Sequence, residues 1–234
     1  MEFCLFTNQL LYCFSEDNLS CTQMGCAAVS SSLSPQEALN VYADLKTAMN
    51  GLVLASDLHM VYLVTPVYLA DMWTHNFSWS NYFTIWCKLC DTQRRIGELV
   101  GVDEAVLVHM RFYNALALFD LLEETPIEVV AEKYGCNRGH LQSLQQQAAT
   151  FAGMITTFCD RLGWHSLTAV LQGFGERLAF GVKRELTELV KIDGLDRLRA
   201  RSFHRAGFNT LAKLAQASLK DIAAVLRKAV PFHE

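Results

Sequence analysis

Residues 191–226, KIDGLDRLRARSFHRAGFNTLAKLAQASLKDIAAVL, read as short helices joined by tight turns. Ile192-Asp193-Gly194-Leu195-Asp196 makes the first turn, since glycine accepts the left-handed backbone that a sharp reversal needs. A helix follows, with Leu198 and Phe203 predicted to point inward. Arg197, Arg199, Arg201 and Arg205 cluster on it or at its start. Ala206-Gly207-Phe208 makes the next turn, and Thr210 and Ser218 stand where N-caps belong. This is the layout of a helix-hairpin-helix, whose turn amides and helix N-terminus can hold a phosphate while arginines add charge. The usual hairpin has glycine at both turn positions. Here the second is Asp196, whose charge would repel a phosphate. A plain helical cap on a larger bundle is the competing reading.

Charge separates this stretch from what precedes it. From Leu189 to Glu234 nine Lys or Arg face four Asp or Glu, a net +5. The other 188 residues carry eleven positive and twenty negative charges, a net −9. The overall −4 argues against nucleic acid, but the local excess marks an anionic partner for the terminal module.

The 234 residues are 51% hydrophobic and 19% charged, enough for a well-buried core in one large domain or two small ones. Mean hydropathy is +0.16. The best candidate for a membrane span, Leu52 to Trp73, is broken by Asp57, His59, Pro66 and Asp71, so no membrane partner is predicted. Glu2 stands where a signal peptide would carry basic residues, and the chain is read as intracellular. Its eight cysteines are accordingly expected as thiols.

Upstream the pattern is helical. Residues 1–33 show little periodicity. Ser34-Pro35-Gln36-Glu37 is a capping box with proline at the first helical position, and Leu39, Tyr42, Leu45 and Met49 predict one apolar face. Leu52 to Pro66 reads as a short strand or a buried extended segment. Trp79, Tyr82, Phe83 and Trp86 lie at helical spacing, as a buried face or as a base-stacking platform. Asp103 is placed to cap a long apolar helix through Leu122, and Thr125-Pro126-Ile127-Glu128 forms a second capping box. A helix is predicted from Ser166 to Val190, irregular at its glycines.

Catalytic signatures are missing. The phosphate cradle G-x-x-x-x-G-K-[ST] does not occur, and Asp103-Glu104-Ala105-Val106 lacks the final acidic residue of a magnesium box. Cys87-x-x-Cys90 has no second pair at matching spacing, so no zinc site is predicted.

Val130 to Arg138 has the rhythm of a helix-turn-helix, with Ala131 four residues before the turn glycine, Gly135. The helix after it carries Arg138, Gln142, Gln145 and Gln146 near one face by the 3.6-residue period. A polar, nearly uncharged face on a long helix is either ordinary solvent exposure or a surface that meets DNA, since a helix-turn-helix would present Asn137, Arg138, His140 and Gln142 at its N-terminal end. Three functions stay open on these residues: a single-strand DNA binder, a helix-turn-helix regulator of duplex DNA, and a helical protein-interaction module.

The segments SSSLSPQEAL, DLHMVYLVTP, RRIGELVGVDE, KYGCNRGHLQSLQQ, RLAFGVKREL and RAGFNTLAKLA together resemble the helicase-like region of the DNA polymerase theta family, and more distantly the superfamily 2 repair helicases. The resemblance covers about Thr22 to Phe232 and corresponds to the part that follows two ATPase lobes. It implies a mainly α fold in three parts: residues 1–33 as the remnant of a winged-helix-type domain or a disordered stretch, 34–188 as a helical ratchet-like domain, and 189–234 as a helix-hairpin-helix-like domain. The helix from Arg138 would then lie along single-stranded DNA. Arg138, Gln142, Gln145 and Gln146, with Arg197, Arg199, Arg201 and Arg205, are the implied contacts. ATP and magnesium would belong to the ATPase lobes and not to this chain. The implied setting is nuclear double-strand-break repair through short homologies. One departure matters: VDEAVLVHM runs directly into RFYNALALFD, where the family carries a longer basic segment, and the loss of those basic residues should weaken DNA binding.

Overall fold

The computed structural model describes residues 11–15, 18–69, 77–102 and 106–229. It opens with an antiparallel hairpin of β1 (Leu11–Ser15) and β2 (Asn18–Cys21), paired from Leu11↔Cys21 to Ser15↔Asn18. Helix α1 (Gln23–Ser30) follows, capped by the Thr22 hydroxyl, with Ala27 and Ala28 buried. The capping box is formed at α2 (Pro35–Gly51): Ser34 accepts the Glu37 amide, and the Glu37 carboxylate accepts the Ser34 amide at 2.9 Å. The buried face of α2 is Ala38, Val41, Leu45 and Ala48, one position round from the predicted face; Met49 is exposed.

Leu52 to Pro66 is neither strand nor extended. Its apolar run closes into α3 (Leu58–Leu63), buried along its whole length. Periodicity cannot separate a short buried strand from a short buried helix. What fixes the helix is a side chain from elsewhere: Arg111 donates from Nε to the Thr65 carbonyl at 2.7 Å and from Nη2 to the Leu63 carbonyl at 3.2 Å, capping the last turn.

The bundle continues with α4 (Trp79–Lys88), α5 (Asp91–Leu99), α6 (Val106–Leu122), α7 (Ile127–Tyr134) and the 24-residue α8 (Arg138–Arg161). Phe112 to Leu118 of α6 is buried on every side, as expected of a helix apolar all round. The predicted aromatic face of α4 is split: Tyr82 is buried and Trp86 half-buried, while Trp79 and Phe83 are exposed. The second capping box does not form; α7 starts after Pro126 with no side-chain cap. Asp103 and Glu104 lie outside the described residues.

The helix predicted over Ser166–Val190 is broken into α9 (His165–Leu171), α10 (Phe174–Phe180) and two 3-10 turns, Arg184–Leu186 and Leu189–Lys191. Gly173 and Gly181 stand at the breaks with φ of +83° and +61°, so glycine ends the helices there rather than bending one. Three helices follow among the described residues: α11 (Arg197–Arg205), α12 (Leu211–Gln216) and α13 (Leu219–Ala229). Phe203 is buried as predicted, but Leu198 is exposed.

Two apolar cores result among the described residues. The larger joins α1 to α10, from Ala27 to Leu178. The smaller gathers Val182, Leu186, Leu189, Val190, Ala200 and Phe203, covered by partly buried residues of α12 and α13. Among the described residues no helix is long and apolar enough to cross a membrane, and no three His, Cys, Asp or Glu side chains gather as a metal site would require.

Candidate nucleic-acid interface

Among the described residues α8 is the longest helix, and one side of it is polar. Its N-terminus is set by Gly135, whose left-handed backbone ends α7, and by Asn137, whose carboxamide oxygen accepts the His140 amide at 2.8 Å. Its inner face is Leu141, Leu144, Ala148, Phe151, Ala152, Ile155 and Phe158. The opposite side exposes Arg138, Gln142, Gln146, Thr150 and Gly153. This stripe is longer than the predicted one; the signal for Thr150 and Gly153 was the same i, i+4 and i+3 spacing carried two turns further. A helix of this length runs about 36 Å.

The four predicted residues of α8 do not behave alike. Gln142 and Gln146 are exposed. Arg138 pairs with Glu128 at 2.9 Å, both side chains more than half exposed. Such a pair contributes about 0–1 kcal/mol, so a phosphate could displace it at little cost. Gln145 is turned inward: its Nε2 donates to the Leu178 carbonyl at 2.5 Å, tying α8 to α10.

The four arginines of α11 also divide. Arg201 donates from Nε to Glu124 at 2.8 Å, makes a second contact to Glu124 through Nη2, and reaches Glu185 with Nη1 at 2.5 Å. Arg197 reaches the Thr125 carbonyl at 3.5 Å. Both therefore face the α6–α7 corner. Arg199 donates to the Gly194 carbonyl at 2.9 Å with its side chain partly exposed, and Arg205 is exposed. Asp196 caps α11 by accepting the Arg199 amide at 2.9 Å, so the carboxylate occupies the amide position a phosphate would take.

The two groups of arginine and glutamine meet at one point. A Cβ at Gly181 would stand 2.9 Å from Gln145 Nε2 and 3.8 Å from Arg197 Nη1. The joint thus brings Gln145 and Arg197 together around a left-handed glycine.

Glu124 is a functional-looking residue that sequence reading missed. Its backbone is left-handed, φ +67°, without being glycine. Its carboxylate accepts the Lys183 amide at 3.2 Å as well as Arg201. Burial works against the charge, but the Arg201 hydrogen bonds and the Lys183 amide hold the carboxyl below its ordinary value. Arg201's contact holds the Glu185 carboxyl down too. Beside them Lys183 pairs with Glu123 at 2.7 Å.

Comparison with known proteins agrees with this architecture. The family described as "DNA_pol_Q helicase like region helical domain" matches residues 35–178. The chain is similar to DNA polymerase theta of Mus musculus, 43% identical over 90% of this chain and 9% of that protein, and of Caenorhabditis elegans, 44% identical over 93% and 14%. It is also similar to the human helicase POLQ-like protein, 30% identical over 86% of this chain and 20% of that one. It therefore spans no more than a fifth of the length of these relatives. With the family's helical domain matched across most of its larger core, and relatives at this identity along nearly its whole length, the chain belongs to the helicase-like region of the DNA polymerase theta family.

Proposed function

We propose that this chain is a DNA-guiding part of a theta-type helicase region, with α8 as the surface along which single-stranded DNA passes. The observation that carries the reading is the stripe Arg138, Gln142, Gln146, Thr150 and Gly153. It is exposed, polar and uncharged after its first residue, on the longest helix of a protein whose relatives include a DNA polymerase and DNA helicases. An uncharged stripe lets a strand advance without being trapped at each step, while Arg138, the partly exposed Arg199 and the exposed Arg205 supply phosphate attraction at its margins. The Thr125 carbonyl, Glu124 and Glu185 assign Arg197 and Arg201 to holding the terminal module in place.

ATP and magnesium belong, on this reading, to the ATPase lobes of a parent enzyme. That enzyme would act in the nucleus, in joining double-strand breaks through short homologies. Fluorescence anisotropy of labelled single-stranded DNA over a potassium chloride series tests the proposal. Weak binding with little sequence preference is expected, with log K falling linearly against log salt by about 0.7 per phosphate contact. Arg138→Ala should lower both the affinity and that slope; salt-independent binding would overturn the reading.

The left-handed Gly135 between α7 and α8 favours a second reading, a helix-turn-helix regulator entering duplex DNA by Asn137 to Gln142. Selection from random duplexes separates the two, because a regulator enriches one motif.

A further inference from the structure

A cavity of about 520 Å³ lies between α3, α9 and α10 on one side and the 3-10 turn Arg184–Leu186 on the other. It is separate from the α8 stripe, and its walls are unusually rich in donors. Arg177 is 6% exposed, stacks its guanidinium 4.7 Å from the centre of the Phe174 ring, and meets Asp57 through Nη2 at 2.5 Å. Its buried Nε meets no acceptor among the described residues. A buried donor left unmet is a standing cost that an incoming acceptor would remove. Arg184, across the cavity, is exposed and makes no ion pair among the described residues. Ser56 Oγ accepts the Leu58 amide at 3.2 Å, which leaves its own proton to donate. Against two guanidinium groups stands one carboxylate, Asp57, already engaged by Arg177. The floor, Met60, Val170 and Phe174, is apolar.

A net positive wall over an apolar floor calls for an anion with an apolar body. A phosphate suits the wall better than a carboxylate, because donors approach from three elements and a carboxylate offers only two oxygens. The volume lies in the range of small-molecule sites and holds a mononucleotide. We propose that this cavity binds a nucleoside monophosphate, with the phosphate between Arg184, Arg177 and the Ser56 hydroxyl and the base over Met60 and Phe174. A ligand so placed would bridge the bundle and the segment leading into the smaller core. Free nucleotide and the phosphorylated end of a DNA strand present the same chemistry.

Titration calorimetry on the full chain with deoxyadenosine monophosphate tests this, with deoxyadenosine and inorganic phosphate as controls. The monophosphate should bind more tightly than either control. Arg184→Glu should weaken it by at least about tenfold, the value of one lost charged hydrogen bond. Ala169→Trp, at an exposed position on the cavity wall, should abolish it with an unchanged circular dichroism spectrum, and this variant decides the matter should Arg184→Glu fail to fold. Monophosphate that binds no better than inorganic phosphate, or that binds equally to the folded variants, overturns the proposal. Displacement of the monophosphate by a 5′-phosphorylated but not a 5′-hydroxyl oligonucleotide assigns the site to strand ends; displacement by neither assigns it to free nucleotide. Anisotropy of 5′-hydroxyl single strands on Ala169→Trp reads the α8 surface separately. Unchanged binding there keeps the two sites independent.

Discussion

Glu124 carries a left-handed backbone, φ +67°, that costs an ordinary residue roughly 1–2 kcal/mol and would cost a glycine nothing comparable. The strain is offset by what the conformation permits: one carboxylate satisfies the Lys183 amide and two nitrogens of Arg201 at once. Removing Glu124 leaves the partly buried Arg201 with Glu185 alone, and removing Arg201 leaves Glu124 with the Lys183 amide alone. Glu124→Ala and Arg201→Ala should therefore each destabilise the chain, and the double variant should cost less than the two singles together by about 0.5–3 kcal/mol. Urea denaturation of the three variants reads that coupling; strict additivity would mean that the contact is not formed in solution. Arg111 is a buried counterpart, 3% exposed, held by Asp44 and two carbonyls at the end of α3 and stacked on Tyr62. Arg111→Ala strips the cap from α3 and leaves Asp44 unpaired, a loss of about 3–5 kcal/mol. A denaturation midpoint close to that of the parent chain would show that α3 holds without its cap. Gly181→Ala forces a left-handed alanine against Gln145 Nε2, so it should destabilise by more than about 1 kcal/mol and loosen the α8–α10 contact.

At the scale of elements, the helices that were legible in the sequence are those whose ends are written locally. Ser34 and Glu37 cap each other across three residues, and Asn137, Thr210 and Ser218 each accept the amide three residues on. The illegible ones depend on distant partners. Helix α3 needs Arg111, 46 and 48 residues from the carbonyls it caps. The roles of Arg197 and Arg201 are set by Thr125, 72 residues away, and Glu124, 77 residues away, so their charge alone suggested a phosphate where the fold supplies an oxygen of its own. The α8 stripe was legible because helical period is a local property; the inward turn of Gln145 was not, because it answers to α10. Helix α11 gives the clearest test of a locally written end. Asp196→Ala removes the cap at a cost of about 1 kcal/mol, whereas Asp196→Asn keeps an accepting oxygen and should nearly preserve stability. Asparagine also removes the charge facing a phosphate, so single-strand affinity should rise in Asp196→Asn but not if α11 stands away from the DNA path. Anisotropy beside thermal melting distinguishes the two outcomes.

For the whole molecule, the balance between the two cores decides which part yields first. The larger core buries side chains from ten helices, while the smaller rests on six buried residues, and α12 and α13 bury none fully. What adds to the hold on the terminal module is charge: Arg201 with Glu124 and Glu185, and Lys183 with Glu123. Glu124 and Glu185 both titrate below the ordinary carboxylate value of 4.5. Carboxyls depressed in the folded state contribute stability that is full above the unfolded value and is lost as pH falls through the folded one. His59 sets a different window. Burial lowers its pKa from 6.5, and its Nδ1 accepts the Val53 amide at 3.2 Å. Its contribution to the bundle is full above 6.5 and declines as pH falls below that value. Acid should thus weaken the bundle gradually from about pH 6.5 and the joint steeply only below about pH 4.5. Hydrogen exchange followed by mass spectrometry, corrected for intrinsic rates at each pH, resolves the two. Protection of α11 to α13 should fall sharply as the pH drops below about 4.5 while α8 keeps most of its protection. In Glu124→Gln/Glu185→Gln the same amides should be weakly protected already at pH 7 and lose little more in acid. Should the terminal helices and α8 lose protection together in both proteins, the module is held by its apolar contacts and the ion pairs contribute nothing to the joint.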